Sequence, residues 1–219
     1  MTDVAIRERI LAQNEAAAAE LRALFRTERT LVVNLISSPG SGKTTLLEAT
    51  VALLGGRFRI GAIEGDIATE RDAVRLRRLG VPAHQILTGG ACHLDARQIR
   101  DALAATPMRG LDFLFIENVG NLICPTAYDL GEDFKAVVLS VTEGDDKPFK
   151  YPGIFARADV AVISKTDLLP HVRFGMDEVR AQIRTLRPDG FILPLSATRG
   201  DGMAEWEALL ESRLAAKRA

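Results

Sequence analysis

Residues 37–44 read Ser-Ser-Pro-Gly-Ser-Gly-Lys-Thr and stand between an apolar run, Leu31–Ser37, and a helical pattern that begins at Lys43. Strand, glycine-rich turn and helix in this order form a phosphate-binding loop, because backbone N–H groups and the helix N-terminus together cradle phosphates. The stretch departs from G-x-x-x-x-G-K-[ST] at Ser37, which is tolerable where the backbone keeps a negative φ. It predicts a nucleoside triphosphate site rather than an ordinary glycine-rich turn.

The loop assigns a role to each of its side chains. We expect Lys43 to reach the β and γ phosphates and to be catalytic, and the Thr44 hydroxyl to bind Mg²⁺. The remaining loop residues expected to contact nucleotide are Ser38, Pro39, Gly40, Ser41, Gly42 and Thr45.

Short apolar runs alternate with helical patterns along the rest of the chain, which predicts an α/β fold with a mostly parallel sheet flanked by helices. The expected strands are 31–37, 58–63, 112–119, 136–142, 160–164 and 191–195. The expected helices are 43–54, 70–79, 95–105, 177–186 and 203–214. An amphipathic pattern from Val4 to Phe25 predicts a further helix, so we divide the chain into an N-terminal helix, 1–28, and a P-loop domain, 29–219.

Length and composition agree with one globular domain and exclude several classes. The chain has 219 residues, 47% hydrophobic and 26% charged, with a net charge of −1. Nucleic acid is not expected as a partner, because phosphate-backbone binding usually needs a basic excess. No apolar run approaches the length of a membrane span and no signal peptide is apparent, so we expect a cytoplasmic protein without a membrane partner.

Two segments predict recognition of guanine. Ser164-Lys165-Thr166-Asp167 resembles the [NT]-K-x-D element of GTPases, where the aspartate accepts from two guanine donors that adenine lacks. Ser196-Ala197 resembles a later element whose backbone contacts the guanine oxygen. We therefore expect Lys165, Asp167, Ser196 and Ala197 to bind the base; a charged strand end without a role is the alternative for the first segment.

Acidic residues follow two predicted strands, at the sheet edge where ligands of open α/β folds bind. Asp66 and Glu117 are assigned to the Mg²⁺ and catalytic water network, without deciding which contacts the metal directly; either can instead be a plain strand cap. Asp72 is a further catalytic candidate on a segment that closes on the γ phosphate, or else lies on a solvated helix face. Lys147 is a candidate nucleotide contact, either within its own subunit or across a dimer; the alternative is a solvated turn lysine.

Cys92 and Cys124 are the only cysteines, and Cys92 is followed by His93 just before a predicted helix. Thiols in a reducing compartment act as core filler, nucleophile or metal ligand. A Cys-His pair suits Zn²⁺ or Ni²⁺, and a helix N-terminus favours the thiolate, but adjacent residues rarely form a nucleophile and its base. Two ligands cannot complete a four-coordinate site, so Cys124, water or a second subunit has to contribute, unless the pair is incidental packing.

Taken together, these segments resemble the HypB family of GTPases, which assist nickel insertion into [NiFe] hydrogenase. The resemblance runs from about Asn34 to Ala197, and it implies that the P-loop domain, 29–219, is a GTPase domain of the SIMIBI class. Besides the loop, it rests on 65–69 (Gly-Asp-Ile-Ala-Thr), 88–95 (Thr-Gly-Gly-Ala-Cys-His-Leu-Asp), 117–125 (Glu-Asn-Val-Gly-Asn-Leu-Ile-Cys-Pro) and 143–148 (Glu-Gly-Asp-Asp-Lys-Pro).

The resemblance implies a GTP-dependent homodimer, whose dependence on metal it leaves open, in which Cys92 and His93 of each subunit bind Ni²⁺ or Zn²⁺ at the interface, with Cys124 nearby. It also implies a HypA-type nickel metallochaperone and the hydrogenase large-subunit precursor as partners. Residues 1–30 contain no Cys or His, so we do not expect the N-terminal nickel site that many members carry.

Three other functions stay open at the level of sequence. The urease accessory GTPase UreG is the nearest relative by function, but it carries Cys-Pro-His where this chain has Cys92-His93. A small-molecule kinase would share the phosphate loop and would not need the guanine element. A storage or regulatory module would bind metal and nucleotide without meaningful turnover.

Overall fold

The computed structural model describes residues 3–106 and 108–219. Its helices are α1 (Asp3–Glu28), α2 (Lys43–Leu54), α3 (Arg71–Arg78), α4 (Ala96–Ala105), α5 (Lys147–Lys150), α6 (Pro152–Arg157), α7 (Met176–Leu186) and α8 (Met203–Arg218). Its strands are β1 (Leu31–Ser37), β2 (Ile60–Asp66), β3 (Ala83–Leu87), β4 (Phe113–Glu117), β5 (Phe134–Ser140), β6 (Val160–Ser164) and β7 (Phe191–Pro194). Short 3₁₀ helices cover Cys124–Ala127, Val141–Glu143 and Thr166–His171. None of the helices in the described ranges has both the length and the apolar character needed to cross a bilayer.

The seven strands form one sheet in the order β3-β2-β4-β1-β5-β6-β7, and every neighbouring pair is parallel. This confirms the predicted α/β P-loop architecture. β1 lies between β4 and β5, with β2, β3 and β4 on one side of it and β5, β6 and β7 on the other. The strand order reverses at this point, and ligands of open α/β sheets bind outside the strand ends at such a switch point.

Helices cover both faces, which explains why the central strands are apolar along their whole length. One face carries α2, α3 and α8, with Trp206 of α8 fully buried. The other carries α1 and α4 over one half of the sheet, and α6 and α7 over the other half.

The predicted N-terminal helix is present as α1, although residues 1–2 of that prediction lie outside the described residues. Leu21 and Phe25 are each 2% exposed and pack with Ile99 of α4 and Leu114 of β4. The apolar stripe of α1 is thus buried against the sheet, while its other face is solvated.

The sequence-based assignment missed one strand and misplaced another. β3 was not predicted because this edge strand is only partly buried and contains His84 and Gln85, which break the apolar pattern. The second strand was predicted at 58–63 but runs from Ile60 to Asp66, because the polar residues at its end still pair with β3. Smaller shifts of one to four residues occur at the ends of other elements.

Candidate functional site

The phosphate loop begins at the last residue of β1 and ends at the first turn of α2. Gly40 and Gly42 have φ of 78° and 96°, a conformation that side chains with a Cβ avoid. Ser37 does not adopt a positive φ, so the condition that makes serine tolerable there is met. The Ser41 hydroxyl donates to the Ser38 carbonyl oxygen at 2.8 Å, which closes the loop on itself.

Lys43 and Thr44 converge on Glu117 from the first turn of α2. Lys43 Nζ donates to Ser37 Oγ at 2.8 Å and lies 3.9 Å from Glu117 Oε1. The Thr44 hydroxyl donates to the same Glu117 oxygen at 3.0 Å. A lysine and a hydroxyl next to a strand-end carboxylate are the groups that hold phosphate and a hard divalent cation.

A second carboxyl, that of Glu64, lies beside Glu117. The two residues are direct neighbours in the register of β2 and β4 and are 1% and 6% exposed. Burial first, and then the Glu117 charge, raises the pKa of Glu64 well above its ordinary value. Burial also raises the pKa of Glu117, although Lys43 opposes that rise. Within the described residues, Glu64 Oε1 and Glu117 Oε2 accept no hydrogen bond, so this pair is costly to the fold.

A cavity of about 500 Å³, the loop cavity, opens above these groups. It is lined by most of the predicted phosphate and catalytic residues: Pro39, Gly40, Gly42, Lys43, Thr44, Thr45, Asp66, Asp72, Glu117 and Lys165. Asp66 accepts from the Ala68 and Thr69 N–H groups, and Asp72 accepts from Arg75 at 3.2 Å. The two aspartates therefore face the loop, on the side occupied by β2 and α3.

A smaller cavity of about 180 Å³, the β6–β7 cavity, lies on the other side of the loop. Its walls include Ser41, Lys165, Asp167 and Ala197. Ser196 Oγ donates to Asp167 Oδ1 at 2.6 Å, which fixes the carboxylate at the cavity wall. Lys165 has a φ of 59°, and its Nζ donates to the Gly40 carbonyl oxygen at 2.7 Å. The residues predicted to read guanine are thus brought together beside the phosphate loop.

Lys147 is not brought to either cavity within the described chain. It lies in α5, with Nζ 5.7 Å from the centre of the Tyr151 ring. Glu143, four residues earlier, does reach the loop, where its carboxylate is an alternative acceptor to the Ser38 carbonyl oxygen for the single proton of the Ser41 hydroxyl.

Cys92, His93 and Cys124 form a cluster in which the ligand atoms all lie within 4.8 Å of one another. Cys92 and His93 follow β3, and Cys124 begins the 3₁₀ helix after β4. Both thiols are free and partly exposed, and the His93 ring stacks on Tyr128 with centroids 3.9 Å apart. Two thiols and an imidazole are a ligand set that Zn²⁺ and Ni²⁺ accept.

The protonation of this cluster differs in part from expectation. Burial lowers the pKa of His93, which favours the neutral imidazole that ligates metals. The Cys124 thiol, together with burial, raises the pKa of Cys92, which is opposite to the lowering expected of a thiol at a helix N-terminus. Asp95, not Cys92, is the N-cap of α4, where it forms a capping box with Gln98, so Cys92 does not lie at the helix N-terminus.

Several residues at the site were given no role by the sequence. They are Glu64, Arg75, Asn118, Asn121, Tyr128 and Glu143. The available signal for Glu64 was a glutamate directly after the apolar run 58–63, because such a charge is rarely buried without a reason. Nothing comparable marks Arg75 or Tyr128, whose positions depend on packing between distant segments.

Comparison with known proteins identifies the family. The family described as CobW/HypB/UreG, nucleotide-binding domain, matches residues 31–194. The hydrogenase maturation factor HypB of Azotobacter vinelandii is 52% identical over 206 residues, which cover 94% of this chain and 68% of that protein.

Two solved structures are similar throughout. The HypB crystal structure from Archaeoglobus fulgidus has a TM-score of 0.87 at 40% identity and covers 93% of this chain and 99% of its own. That of HypB from Helicobacter pylori in complex with nickel has a TM-score of 0.87 at 41% identity and covers 92% and 95%. With the loop and the carboxylates in place, these matches show that the chain belongs to the HypB family of hydrogenase maturation GTPases.

Proposed function

We propose that this protein binds GTP with Mg²⁺ in the loop cavity and the β6–β7 cavity, hydrolyses it, and uses the hydrolysis cycle to hold and release nickel. The observation that carries the proposal is that the end of β4 leads to both the phosphate loop and the metal cluster. Glu117, at the end of β4, accepts from Thr44 in the phosphate loop, and the same chain segment continues to Cys124 in the metal cluster. Nickel is thus a cargo held a few residues from the groups that contact phosphate.

The residues fit GTP and Mg²⁺ in distinct ways. The β and γ phosphates would lie on the loop amides and Lys43, and Asp167 would accept from the guanine edge. The Thr44 hydroxyl, Glu117 and Asp66 would hold Mg²⁺, directly or through water, and the orphan oxygen of Glu117 is a free acceptor for it. When bound, the cation neutralises charge on the phosphates.

The protein's own part in hydrolysis is positioning. Lys43 orients the phosphates, while Asp66 and Glu117 act on the water network as catalytic residues. Asp72 lies on the segment that closes on the γ phosphate. In the structure, its carboxylate accepts a hydrogen bond from Arg75. Ser38, Pro39, Gly40, Ser41, Gly42 and Thr45 cradle the phosphates, and Lys165, Ser196 and Ala197 complete the base site.

The metal site is completed by a second copy of the chain. Cys92, His93 and Cys124 supply three ligand atoms, whereas a closed tetrahedral site needs four. A two-fold axis at the cluster would bring the missing ligands from the second subunit. In such a dimer, Lys147 would contact the nucleotide bound by the other subunit. The homodimer is favoured by GTP and by metal, Ni²⁺ or Zn²⁺.

The wider assignment follows from the family. The partners are a HypA-type nickel metallochaperone and the hydrogenase large-subunit precursor. We assign residues 1–28 to the N-terminal segment, whose helix is described from Asp3 to Glu28, and residues 29–219 to the GTPase domain. Free thiols as metal ligands require a reducing compartment, which favours the cytoplasm.

Lys43→Ala tests the nucleotide assignment. GTP hydrolysis should fall at least about 100-fold, since the lysine contacts the transferred phosphate, while Ni²⁺ binding persists. Lys150→Ala, an exposed lysine of α5, is the matched control and should keep wild-type turnover. Hydrolysis that survived Lys43→Ala, or equal turnover of ATP and GTP by the wild type, would refute the assignment.

Equilibrium dialysis with Ni²⁺ and Zn²⁺ tests the metal assignment. His93→Ala and Cys92→Ala should each lose the site, whereas His171→Ala, an exposed histidine far along the chain, should retain it. Sedimentation with GTP and with GDP then reports the dimer. If Cys92→Ala bound as many metal ions per subunit as the wild type, the cluster would not be the metal-binding site.

A further inference from the structure

Asn118 is a buried amide one residue beyond Glu117. It is 1% exposed, and its Oδ1 accepts from two backbone N–H groups, those of Leu94 at 3.1 Å and Val119 at 3.0 Å. Its Nδ2 donates to Asn34 Oδ1 at 3.3 Å. Because two fixed donors face the oxygen, the orientation of the amide is determined, and it ties Leu94 to the end of β4.

Leu94 follows His93 directly and is fully buried. Its side chain also packs against Gly65, where an added Cβ would lie 2.8 Å from Leu94 Cδ1. Leu94 is therefore held by β4 through Asn118 and by β2 through Gly65, next to Asp66. The Cys92-His93 segment cannot shift without disturbing at least one of these two strand ends.

Asn121 joins the two halves of the metal cluster. Its Nδ2 donates to the Cys92 carbonyl oxygen at 3.2 Å, and its Oδ1 accepts from the Ile123 N–H at 2.9 Å, next to Cys124. These contacts fix the spacing of the ligands. Within the described residues, Asn121 itself makes no hydrogen bond to the phosphate loop, although its neighbour Gly120 packs against Pro39.

We infer that Asn118 is the positioning residue through which the phosphate end of the nucleotide site sets the placement of Cys92 and His93. Glu117 contacts Thr44 on one side, and the next residue holds Leu94 on the other. When the bound phosphate changes, the end of β4 moves. The hydrogen bond from the Leu94 N–H to Asn118 Oδ1 passes that movement to the backbone of residue 94. Asn121, by contrast, sets affinity in every nucleotide state. The inference rests on the proposed function, because it needs both nucleotide and nickel binding.

The test measures Ni²⁺ affinity with GDP and with a non-hydrolysable GTP analogue. The readout is the ratio of the two affinities, which a merely structural role would not move. In Asn118→Ala, the ratio of the two Ni²⁺ affinities should lie roughly 5-fold closer to one than in the wild type. A change of this size is expected for the loss of one buried hydrogen bond. Asn121→Ala should weaken binding similarly in both states and keep the ratio. Asn34→Ala, which also removes a buried asparagine from the network but spares the Leu94 contact, should keep it too.

Each outcome decides one question. If the wild type binds no nickel or no GTP, the proposed function fails. If it binds both but its affinity ratio is one, or Asn118→Ala keeps the wild-type ratio, only this inference is overturned. Hydrogen exchange of the wild type covers the case in which Asn118→Ala does not fold. The Leu94 amide should change its protection between the two nucleotide states, and identical protection would also overturn the inference.

Discussion

Replacing Glu64 by glutamine should stabilise the Mg²⁺-free protein, an uncommon result for a fully buried position. Glu64 and Glu117 are neighbours on adjacent strands, whose backbones lie about 5 Å apart. Two ionised carboxylates about 5 Å from one another would repel by about 3 kcal/mol at an effective dielectric constant of 20. Lys43, 3.9 Å from Glu117, and partial protonation of the pair offset some of this repulsion. We expect a gain of about 1–3 kcal/mol in the free energy of unfolding, and about 2–10 °C in the midpoint for a chain of this length.

The gain should depend on pH in a definite direction. Because burial and Glu117 raise the pKa of Glu64 above its ordinary 4.5, the folded protein keeps a proton that the unfolded chain has already released. The stability of the wild type therefore falls as the pH rises from about the unfolded value through the folded one. Glutamine has no such proton to lose, so the advantage of Glu64→Gln should be small near pH 5 and larger near pH 8.

Urea denaturation at both pH values, in the presence of EDTA, measures the effect. Glu132→Gln is the matched control, since Glu132 is also buried but accepts from Asn34, the Leu130 N–H and Lys135. That variant should lose about 1–3 kcal/mol, because its partners stay behind unpaired. The reasoning is refuted if Glu64→Gln is destabilised like the control, or if its advantage shrinks with rising pH.

Three further results are expected elsewhere in the fold. Ser196→Ala should raise the KM for GTP roughly 5-fold with little change in kcat, since it removes one hydrogen bond to Asp167; steady-state kinetics report it, and a kcat effect alone would contradict it. Gly120→Ala should weaken nucleotide binding in a calorimetric titration, because the new Cβ would lie 2.9 Å from the backbone nitrogen of Pro39 in the phosphate loop; unchanged affinity would mean that the loop yields. Trp206→Phe should lower the free energy of unfolding by about 1–3 kcal/mol, through a small cavity and the loss of the indole hydrogen bond to a buried α2 threonine, and an unchanged urea midpoint would contradict it.

The sequence predicted those features that depend on local pattern. The loop from Ser37 to Thr44, the fully buried strands and the strand-end carboxylate of Glu117 all follow from contiguous residues. β3 was missed because an edge strand is half solvated, and its polar residues interrupt the apolar run by which the other strands were recognised. Glu64 was missed as a partner of Glu117 because their contact depends on the register of β2 against β4, and register is set by the whole sheet.

The strand order separates the proposed base site from the metal cluster. β1 carries the phosphate loop at the switch point, β6 and β7 lie to one side of it, and β2, β3 and β4 lie to the other. Asp167 follows β6, so the proposed base site lies on the first side. Cys92 follows β3 and Cys124 follows β4, and these two strands flank β2, so the cluster lies on the second side. On the proposed function, a difference between GTP and GDP would act on the side of the loop where the cluster lies, whereas the base would be recognised on the other side. Base selectivity and metal release could then change independently.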